Sequence, residues 1–346
     1  MTSAPDNCYA AAGLAAAFLL AAWPLVAAPA ADSLAPLPAQ AAPVASHAPY
    51  ESGECGLCHQ SADPKRPGPV KAKGPALCLA CHEEFSAVLA RPHVHAPAGQ
   101  DCTTCHNPHN ARQRKLLRDE ISGLCGSCHG DVRQTAADAK VKHGALAVGR
   151  SCANCHNPHG SSVQRLLVAQ PFDLCLGCHD NDRLKSADGK PLGNMKAWLA
   201  ANPEWHDPVR ARDCSACHQP HGAANFRLLK EYYPPEFYAP YGAQRYALCF
   251  SCHQERAFVS RETTTLTGFR DGAKNLHFVH LHQGDRGRTC RACHEVHASK
   301  QKLHVRDGVP YGSSGWVLKL NYARTPSGGS CEKTCHQKRS YSRTSP

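Results

Sequence analysis

The stretch SCANCHNPHG, from Ser151 to Gly160, contains two cysteines three positions apart, a histidine directly after the second cysteine, and another histidine three positions further on. Close copies are DCTTCHNPHN (101–110), DCSACHQPHG (213–222) and TCRACHEVHA (289–298). An arrangement that occurs four times in one chain indicates that the same local chemistry is built four times.

The cysteine pattern extends beyond these four copies. C-x-x-C-H occurs nine times, and a tenth site, CEKTCH, has one extra residue between its cysteines. The ten pairs use 20 of the 21 cysteines, and Cys8 lies near the N-terminus, so no cysteine is left for a disulfide framework. We number the sites 1 to 10 in chain order: 55–59, 78–82, 102–106, 125–129, 152–156, 175–179, 214–218, 249–253, 290–294 and 331–336.

C-x-x-C-H is the attachment signal of c-type haem. Its two thiols form thioether bonds to the porphyrin, and the adjacent histidine is then held where its imidazole binds the iron. Zinc sites also use C-x-x-C pairs but do not require this histidine. A thioredoxin-like pair is expected once, in a βαβ unit, and disulfides do not place a histidine after every close pair.

Ten such sites predict ten covalently bound haems c, each with two cysteines and one proximal histidine. The predicted thioether cysteines are Cys55, Cys58, Cys78, Cys81, Cys102, Cys105, Cys125, Cys128, Cys152, Cys155, Cys175, Cys178, Cys214, Cys217, Cys249, Cys252, Cys290, Cys293, Cys331 and Cys335. The predicted proximal iron ligands are His59, His82, His106, His129, His156, His179, His218, His253, His294 and His336.

Thirteen of the 23 histidines lie outside the sites, and nine of them recur at regular positions. Five stand seven to nine residues before an odd-numbered site, and four follow three residues after a motif histidine. A histidine of the second kind cannot easily reach the same iron, so we expect it to cap a neighbouring haem, although the pairing itself stays open. The predicted distal ligands are His47, His95, His109, His143, His159, His206, His221, His282 and His297, with His93, His277 and His280 as alternatives.

The sites are periodic. The first cysteines of each pair are 23 residues apart in the first three pairs and 35 and 41 residues apart in the last two. Such repetition indicates a serial architecture in which neighbouring units complete one another. The sequence therefore predicts five two-site units, at about 47–92, 93–140, 141–200, 201–275 and 276–346.

The N-terminus has the features of an export signal. Residues 1–30 are apolar in their central part and end in Ala28-Pro29-Ala30, which fits an A-x-A cleavage pattern, although the first residues contain no Lys or Arg. A retained membrane anchor is the alternative, but Leu14–Ala28 is shorter than the ~20 residues of a spanning helix. Residues 31–50 are predicted to be a Pro/Ala-rich linker.

Composition predicts a fold with little conventional core. Only 7% of residues are aromatic, and 26 Gly and 26 Pro interrupt regular structure. We expect mostly loops with short α-helices around ten haems and little β-structure. The predicted elements are helices over Cys78–Leu89 and Met195–Ala201 and a short hairpin near 316–322. The aromatic run 231–246 is expected to pack on haem edges, with a partner surface as the alternative.

The net charge of +11 does not by itself indicate nucleic-acid binding. Each haem brings two propionates, so the excess of Lys and Arg is expected to balance these carboxylates. We therefore predict no nucleic-acid partner.

The paired sites, with CHNPHG followed by FDLCLGCH, YALCFSCH or SGLCGSCH, resemble the doubled CXXCH motif of multihaem c-type cytochromes. The C-terminal stretch is similar to that of multihaem cytochromes from metal-reducing bacteria, some of which work in porin–cytochrome conduits. The resemblance covers about residues 47–343. It implies bis-His low-spin haems that pass electrons along a chain in an exported protein, either periplasmic, outer-membrane-associated or extracellular.

The partners that this resemblance implies are other redox proteins, with an outer-membrane porin, an extracellular acceptor or self-assembly into a haem filament as open alternatives. Catalysis at haem needs an open coordination position, and the histidines suffice to close ten irons. We therefore predict an electron carrier rather than an enzyme. The alternative is a nitrite or nitrogen-oxide reductase with one open iron, for example at Cys331–His336.

Overall fold

The computed structural model describes residues 43–186, 189–310, 315–332 and 335–344. The predicted signal peptide and the first part of the predicted linker lie outside the described residues. The predicted linker boundary at residue 50 is too late, because Ala45–Ser46 is a strand and Ala48–Glu51 is a helix of the first unit. Within the described ranges, no helix has both the length and the apolar character needed to cross a membrane.

The α-helices are short, and prolines stand at the first positions of several of them. In chain order they are α1 Ala48–Glu51, α2 Pro75–Leu79, α3 Glu84–Leu89, α4 Ala96–Gln100, α5 Ile121–Gly126, α6 Gly130–Asp138, α7 Pro171–Leu176, α8 Met195–Ala201, α9 Asp207–Arg210, α10 Ala247–Phe250, α11 Arg256–Val259 and α12 Leu276–Leu281.

The helix predicted at Met195–Ala201 is confirmed as α8, whose N-cap Asn194 accepts a hydrogen bond from the amide of Ala197 at 2.8 Å. The single helix predicted over Cys78–Leu89 is wrong. It is two helices, α2 and α3, because the chain turns at site 2 to bring His82 back beneath Cys78.

Strands are two to four residues long. They are β1 Ala45–Ser46, β2 His93–Val94, β3 Asn110–Ala111, β4 Gly160–Ser161, β5 Glu204–Trp205, β6 Arg270–Asp271, β7 Lys274–Asn275, β8 Ala298–Ser299, β9 Gly308–Pro310, β10 Val317–Lys319, β11 Ala323–Arg324, β12 Gly328–Cys331 and β13 Arg339–Ser342. The predicted hairpin near 316–322 is confirmed as the antiparallel pair β9–β10. In this hairpin Leu318 is buried, whereas the neighbouring Trp316 is exposed.

Antiparallel pairs tie each predicted unit to the next. Strand β1 pairs with β3, β2 pairs with β4, and β5 pairs with β8. Between the third and fourth units the corresponding contact is a single bridge, Val141 to Ala223. In each case, a segment that precedes an odd-numbered site lies beside a segment that follows the next odd-numbered site. For example, β1 precedes site 1, and its partner β3 follows site 3.

The apolar core is divided into small clusters. One contains Phe172, Leu199 and Ala298. The other contains Leu229, Tyr233, Tyr246 and Leu281 and includes part of the aromatic run 231–246. Tyr246 is fully buried while Tyr232 is 41% exposed, so the run packs mainly inward.

Candidate haem-binding sites

A tight turn forms each of sites 1 to 9. The amide of the motif histidine donates to the carbonyl of the first cysteine at 2.9–3.1 Å. This bond spans four residues, as in one turn of helix, so the two cysteines and the histidine are gathered at one place. Odd-numbered sites begin in 3-10 turns, at Cys55–Leu57, Cys102–Thr104, Ser151–Asn154, Cys214–Ala216 and Cys290–Ala292, whereas sites 2, 4, 6 and 8 begin within α2, α5, α7 and α10.

A recurring strained residue orients the motif histidine of every odd-numbered site. Nine residues after that histidine, the chain adopts a left-handed conformation, and the carbonyl of this residue accepts a hydrogen bond from the histidine Nδ1 at 2.8–2.9 Å. Only the first of these positions is glycine. The residues are Gly68, Lys115, Arg165, Arg227 and Leu303.

A non-glycine residue in this conformation costs roughly 1–2 kcal/mol. Its recurrence at one position in four units therefore indicates a function for the carbonyl. A histidine that ligates a metal commonly donates its other ring N–H to a carbonyl, which fixes the tautomer and leaves Nε2 as the ligand. These residues were not predicted from the sequence. The constant spacing of nine was visible, but nothing in the side chains marked it.

Nine motif histidines lie opposite a second histidine with nearly parallel rings. The ring centroids are 6.0–6.5 Å apart, and the planes differ by 4–27°. The pairs are His59–His109, His82–His47, His106–His159, His129–His95, His156–His221, His179–His143, His218–His297, His253–His206 and His294–His277.

This spacing fits one iron between two imidazoles. An imidazole nitrogen binds a transition metal at about 2 Å, so two coaxial rings have centroids about 6 Å apart. Aromatic rings that merely stack have similar centroid distances. Chance stacking does not explain why every pair contains one motif histidine.

The pairing follows a rule. The motif histidine of sites 1, 3, 5 and 7 lies opposite a histidine from the next unit, and that of sites 2, 4, 6 and 8 lies opposite the upstream histidine of its own unit. The upstream histidines also have oriented rings, because each Nδ1 donates to a backbone carbonyl across the strand pairing. The acceptors for His47, His95, His143 and His206 are Pro108, Pro158, Pro220 and Val296.

The Asn-Pro-His sequence explains this geometry. In site 5 the Asn157 side chain accepts the amide of His159 at 3.1 Å, which fixes the turn that presents the second histidine. In the same turn, the carbonyl of Pro158 accepts the hydrogen bond from His95. One short segment therefore positions two distal candidates, one for each of two neighbouring sites.

The fifth unit departs from this rule. His277, an alternative in the sequence analysis, lies opposite His294, and its Nδ1 contacts the Thr267 hydroxyl at 3.1 Å. His280 is an electrostatic neighbour of His336, and its Nδ1 donates to the carbonyl of Leu276 at 2.7 Å. These contacts associate His280 with site 10.

His282 does not lie opposite a motif histidine in the described part of the chain, contrary to the prediction from spacing. Its ring packs between Tyr241 and Phe278, with both centroid distances 4.2 Å. The reason is that His282 caps the C-terminus of α12, whereas His277 and His280 are three residues apart on that helix and share a face. His93 lies in β2, and among the described residues no ring contact joins it to a motif histidine.

Burial favours the neutral, metal-binding form of several of the paired histidines. The pKa values of His159 and His179 are lowered, mainly by desolvation and to a smaller extent by the charge of the paired histidine. The same two causes, in the same order, lower the pKa of His277 and of His297 to about 4. The described residues contain no cluster of three or more metal-binding side chains.

Thiol contacts place the sites in a continuous order. The first cysteine of each of sites 2, 4, 6 and 8 lies beside the first cysteine of the following site, in the pairs Cys78–Cys102, Cys125–Cys152, Cys175–Cys214 and Cys249–Cys290. Burial, and after it the neighbouring thiol, raises the pKa of Cys78 to about 12 and that of Cys125 to about 11.

Within each unit, cysteines of the two sites are also electrostatic neighbours. The pairs are Cys58–Cys78, Cys105–Cys128, Cys155–Cys178, Cys217–Cys249 and Cys293–Cys331. Sites 1 to 10 therefore follow one another in space in the order in which they follow in sequence.

Comparison with known proteins agrees with this repetition. The model of the doubled CXXCH motif family matches residues 47–87, 95–134, 143–184 and 206–258, about half of the chain. The chain belongs to the doubled CXXCH motif family. It is a multihaem c-type cytochrome, and its paired motifs indicate covalently bound haem c.

Each family match lies within one of the first four predicted units, and the four matches do not include the fifth. Among curated proteins, the chain is similar to the multiheme cytochrome MtrA of Shewanella baltica (strain OS185), with 32% identity over 82 residues. This similarity covers 23% of the chain and 25% of that relative, so the chain matches only about a quarter of the relative's length.

Proposed function

We propose that this multihaem cytochrome is an electron carrier with ten haems, each closed on both axial sides by histidine, in one unbranched chain from site 1 to site 10. The observation that carries the proposal is the set of nine parallel histidine pairs, each of which contains one motif histidine. For the tenth site, the electrostatic contact between His280 and His336 supports the same ligation.

The haems supply the redox chemistry, with each iron alternating between Fe(III) and Fe(II). The residues of the chain fix geometry and environment. The two cysteines of each site would hold one haem covalently, and the two histidines of each pair would bind its iron. Because a cysteine of each site is a neighbour of a cysteine of the next site, haems attached to them would be held close together, which favours transfer between neighbours.

The proposed route is linear, and sites 1 and 10 are its two ends. An exported location, periplasmic, outer-membrane-associated or extracellular, is part of the proposal. So is exchange of electrons with other redox proteins, an outer-membrane porin complex, an extracellular acceptor or further copies in a filament.

A reductase with one open iron is the second candidate, and one observation favours site 10 for it. Site 10 has the longer cysteine spacing and begins in strand β12 rather than in a helical turn. This difference in backbone makes site 10 the candidate for an iron with an exchangeable ligand. We propose the carrier as the main function because a histidine, His280, stands near site 10.

The test is to purify the protein from a host with c-type maturation and to determine both the haem count and the spin state. We expect a mass increase equal to ten haems and an EPR spectrum of the oxidised protein that is wholly low-spin. A protein without covalent haem would contradict the whole proposal. A stoichiometric high-spin signal that responds to nitrite or CO would replace the carrier by the reductase.

A further inference from the structure

Arg291 is a charged side chain with an unsatisfied buried atom. It stands between the two cysteines of site 9, and its Nε is buried without a hydrogen-bond partner among the described residues. The corresponding residue at the other odd-numbered sites is uncharged: Gly56, Thr103, Ala153 and Ser215. A guanidinium does not lose its proton in proteins, so a buried donor of this kind requires an acceptor.

The surroundings of Arg291 carry excess positive charge. Arg306 and Arg227 are its cationic neighbours, and Glu295 is its acidic one. Glu295 is already occupied, because both of its oxygens pair with Arg306 at 2.7 and 2.9 Å in a site where the two side chains are 10% and 16% exposed. One carboxylate therefore faces three guanidinium groups. The pKa of Arg291 is lowered, mainly by desolvation and secondly by the positive charge of Arg306.

The position of this charge points to one site. Arg291 and Arg227 are both electrostatic neighbours of His297, which lies opposite His218 of site 7. The carbonyl of Arg227 also accepts the hydrogen bond from His218 Nδ1 at 2.9 Å. The guanidinium belongs by sequence to site 9 but lies beside the histidine pair of site 7.

We propose that Arg291, together with Arg227, binds an ionised propionate of the haem attached at Cys214 and Cys217. This inference rests on the proposed haem loading. A carboxylate matches the guanidinium fork and supplies the missing acceptor. It also supplies negative charge to a group of three arginines and one glutamate, which by itself is positively charged.

The consequence is a tuned reduction potential at site 7. A fixed positive charge near an iron disfavours Fe(III) relative to Fe(II) and raises the potential. Loss of Arg291 removes that charge and leaves the propionate without its partner, and both changes favour Fe(III). We expect the Fe(III)/Fe(II) equilibrium at one haem to shift at least tenfold toward the oxidised form, which is 59 mV downward for one electron.

The experiment is spectropotentiometric titration of haem-loaded Arg291→Met, with Arg210→Met as the control. Arg210 is an exposed arginine whose side chain is 63% accessible, and it pairs with Asp207 at the surface. We expect one of ten redox transitions to move downward in Arg291→Met and none to move in Arg210→Met. Ten unchanged transitions in a fully loaded Arg291→Met protein would overturn the inference, while a preparation with no haem would contradict the proposed function instead.

Two further variants assign the haem and guard against misfolding. His297→Met changes the proposed ligand of site 7 and therefore identifies the redox transition of that site. The double variant with Arg291→Met should alter that one transition only, and two altered transitions would overturn the assignment.

Arg291→Lys keeps the positive charge but not the forked geometry of the guanidinium. It should keep the potential and shift a propionate bending band in resonance Raman spectra, and an unchanged band would contradict the contact.

Discussion

The fifth unit provides the sharpest test of the ligand assignment, because spacing and structure disagree there. Spacing selects His282 as the distal ligand, whereas the contacts associate His280 with His336 and place His282 between two aromatic rings. We predict that His280→Ala opens one iron and that His282→Ala opens none. The two variants remove the same side chain two residues apart, so each is the control for the other.

The expected magnitudes follow from the contacts. His280→Ala should convert one of ten haems to high spin, about a tenth of the ferric signal, with a new CO-binding site in the reduced protein. His282→Ala loses two ring contacts at 4.2 Å, with Tyr241 and Phe278. Aromatic pairs contribute about 0.5–1.5 kcal/mol each, so its effect should be a loss of about 1–3 kcal/mol in stability.

The assay combines EPR spin quantification, CO difference spectra and thermal or denaturant unfolding of the haem-loaded variants. A high-spin haem in His282→Ala together with an unchanged low-spin spectrum in His280→Ala would refute the assignment of site 10. A high-spin haem in both variants would show that the C-terminus of α12 must be intact for ligation, and the assignment of His280 alone would then be wrong.

Two other predictions concern the scaffold. Gly160→Ala should destabilise the protein by about 1–3 kcal/mol in an unfolding assay, because a Cβ at this position would lie 2.6 Å from a backbone carbonyl oxygen. Gly130→Ala is the control. Its Cβ would have open space around it, so this variant should be neutral or slightly stabilising in the same assay. Glu295→Gln should cost about 3–5 kcal/mol by leaving Arg306 buried and unpaired, whereas Asp207→Asn, in an exposed pair, should change the unfolding free energy by less than about 1 kcal/mol.

The motif residues could be predicted from the sequence because the chemistry of attachment is local, and their binding of haem at all ten sites stays a prediction. Two cysteines and a histidine within five residues form their own turn, so spacing alone defines them. The loop-rich fold was also predictable, since frequent Gly and Pro keep helices and strands short. A helix such as Met195–Ala201 was recognisable because it is a continuous segment with its own N-cap.

The pairing of distal histidines was not predictable, because it depends on contacts between units. His159 lies opposite His106 because β4 pairs with β2, and a pairing of two residues leaves almost no pattern in the sequence. The boundary at residue 50 was misplaced for the same reason. Ala45 and Ser46 look like linker residues until their partners in β3 are known.

The histidine pairs and the strand pairs both cross from one unit to the next. The motif histidine of site 7 lies opposite His297, which belongs to the following unit, and β5 of the fourth unit pairs with β8 of the fifth. In the first four units, the motif histidine of the odd-numbered site lies opposite a histidine of the following unit. The fifth unit differs, because α12 places His277 opposite His294 and His280 near His336 within that unit. Site 9 thus has its opposite histidine without a contribution from another unit.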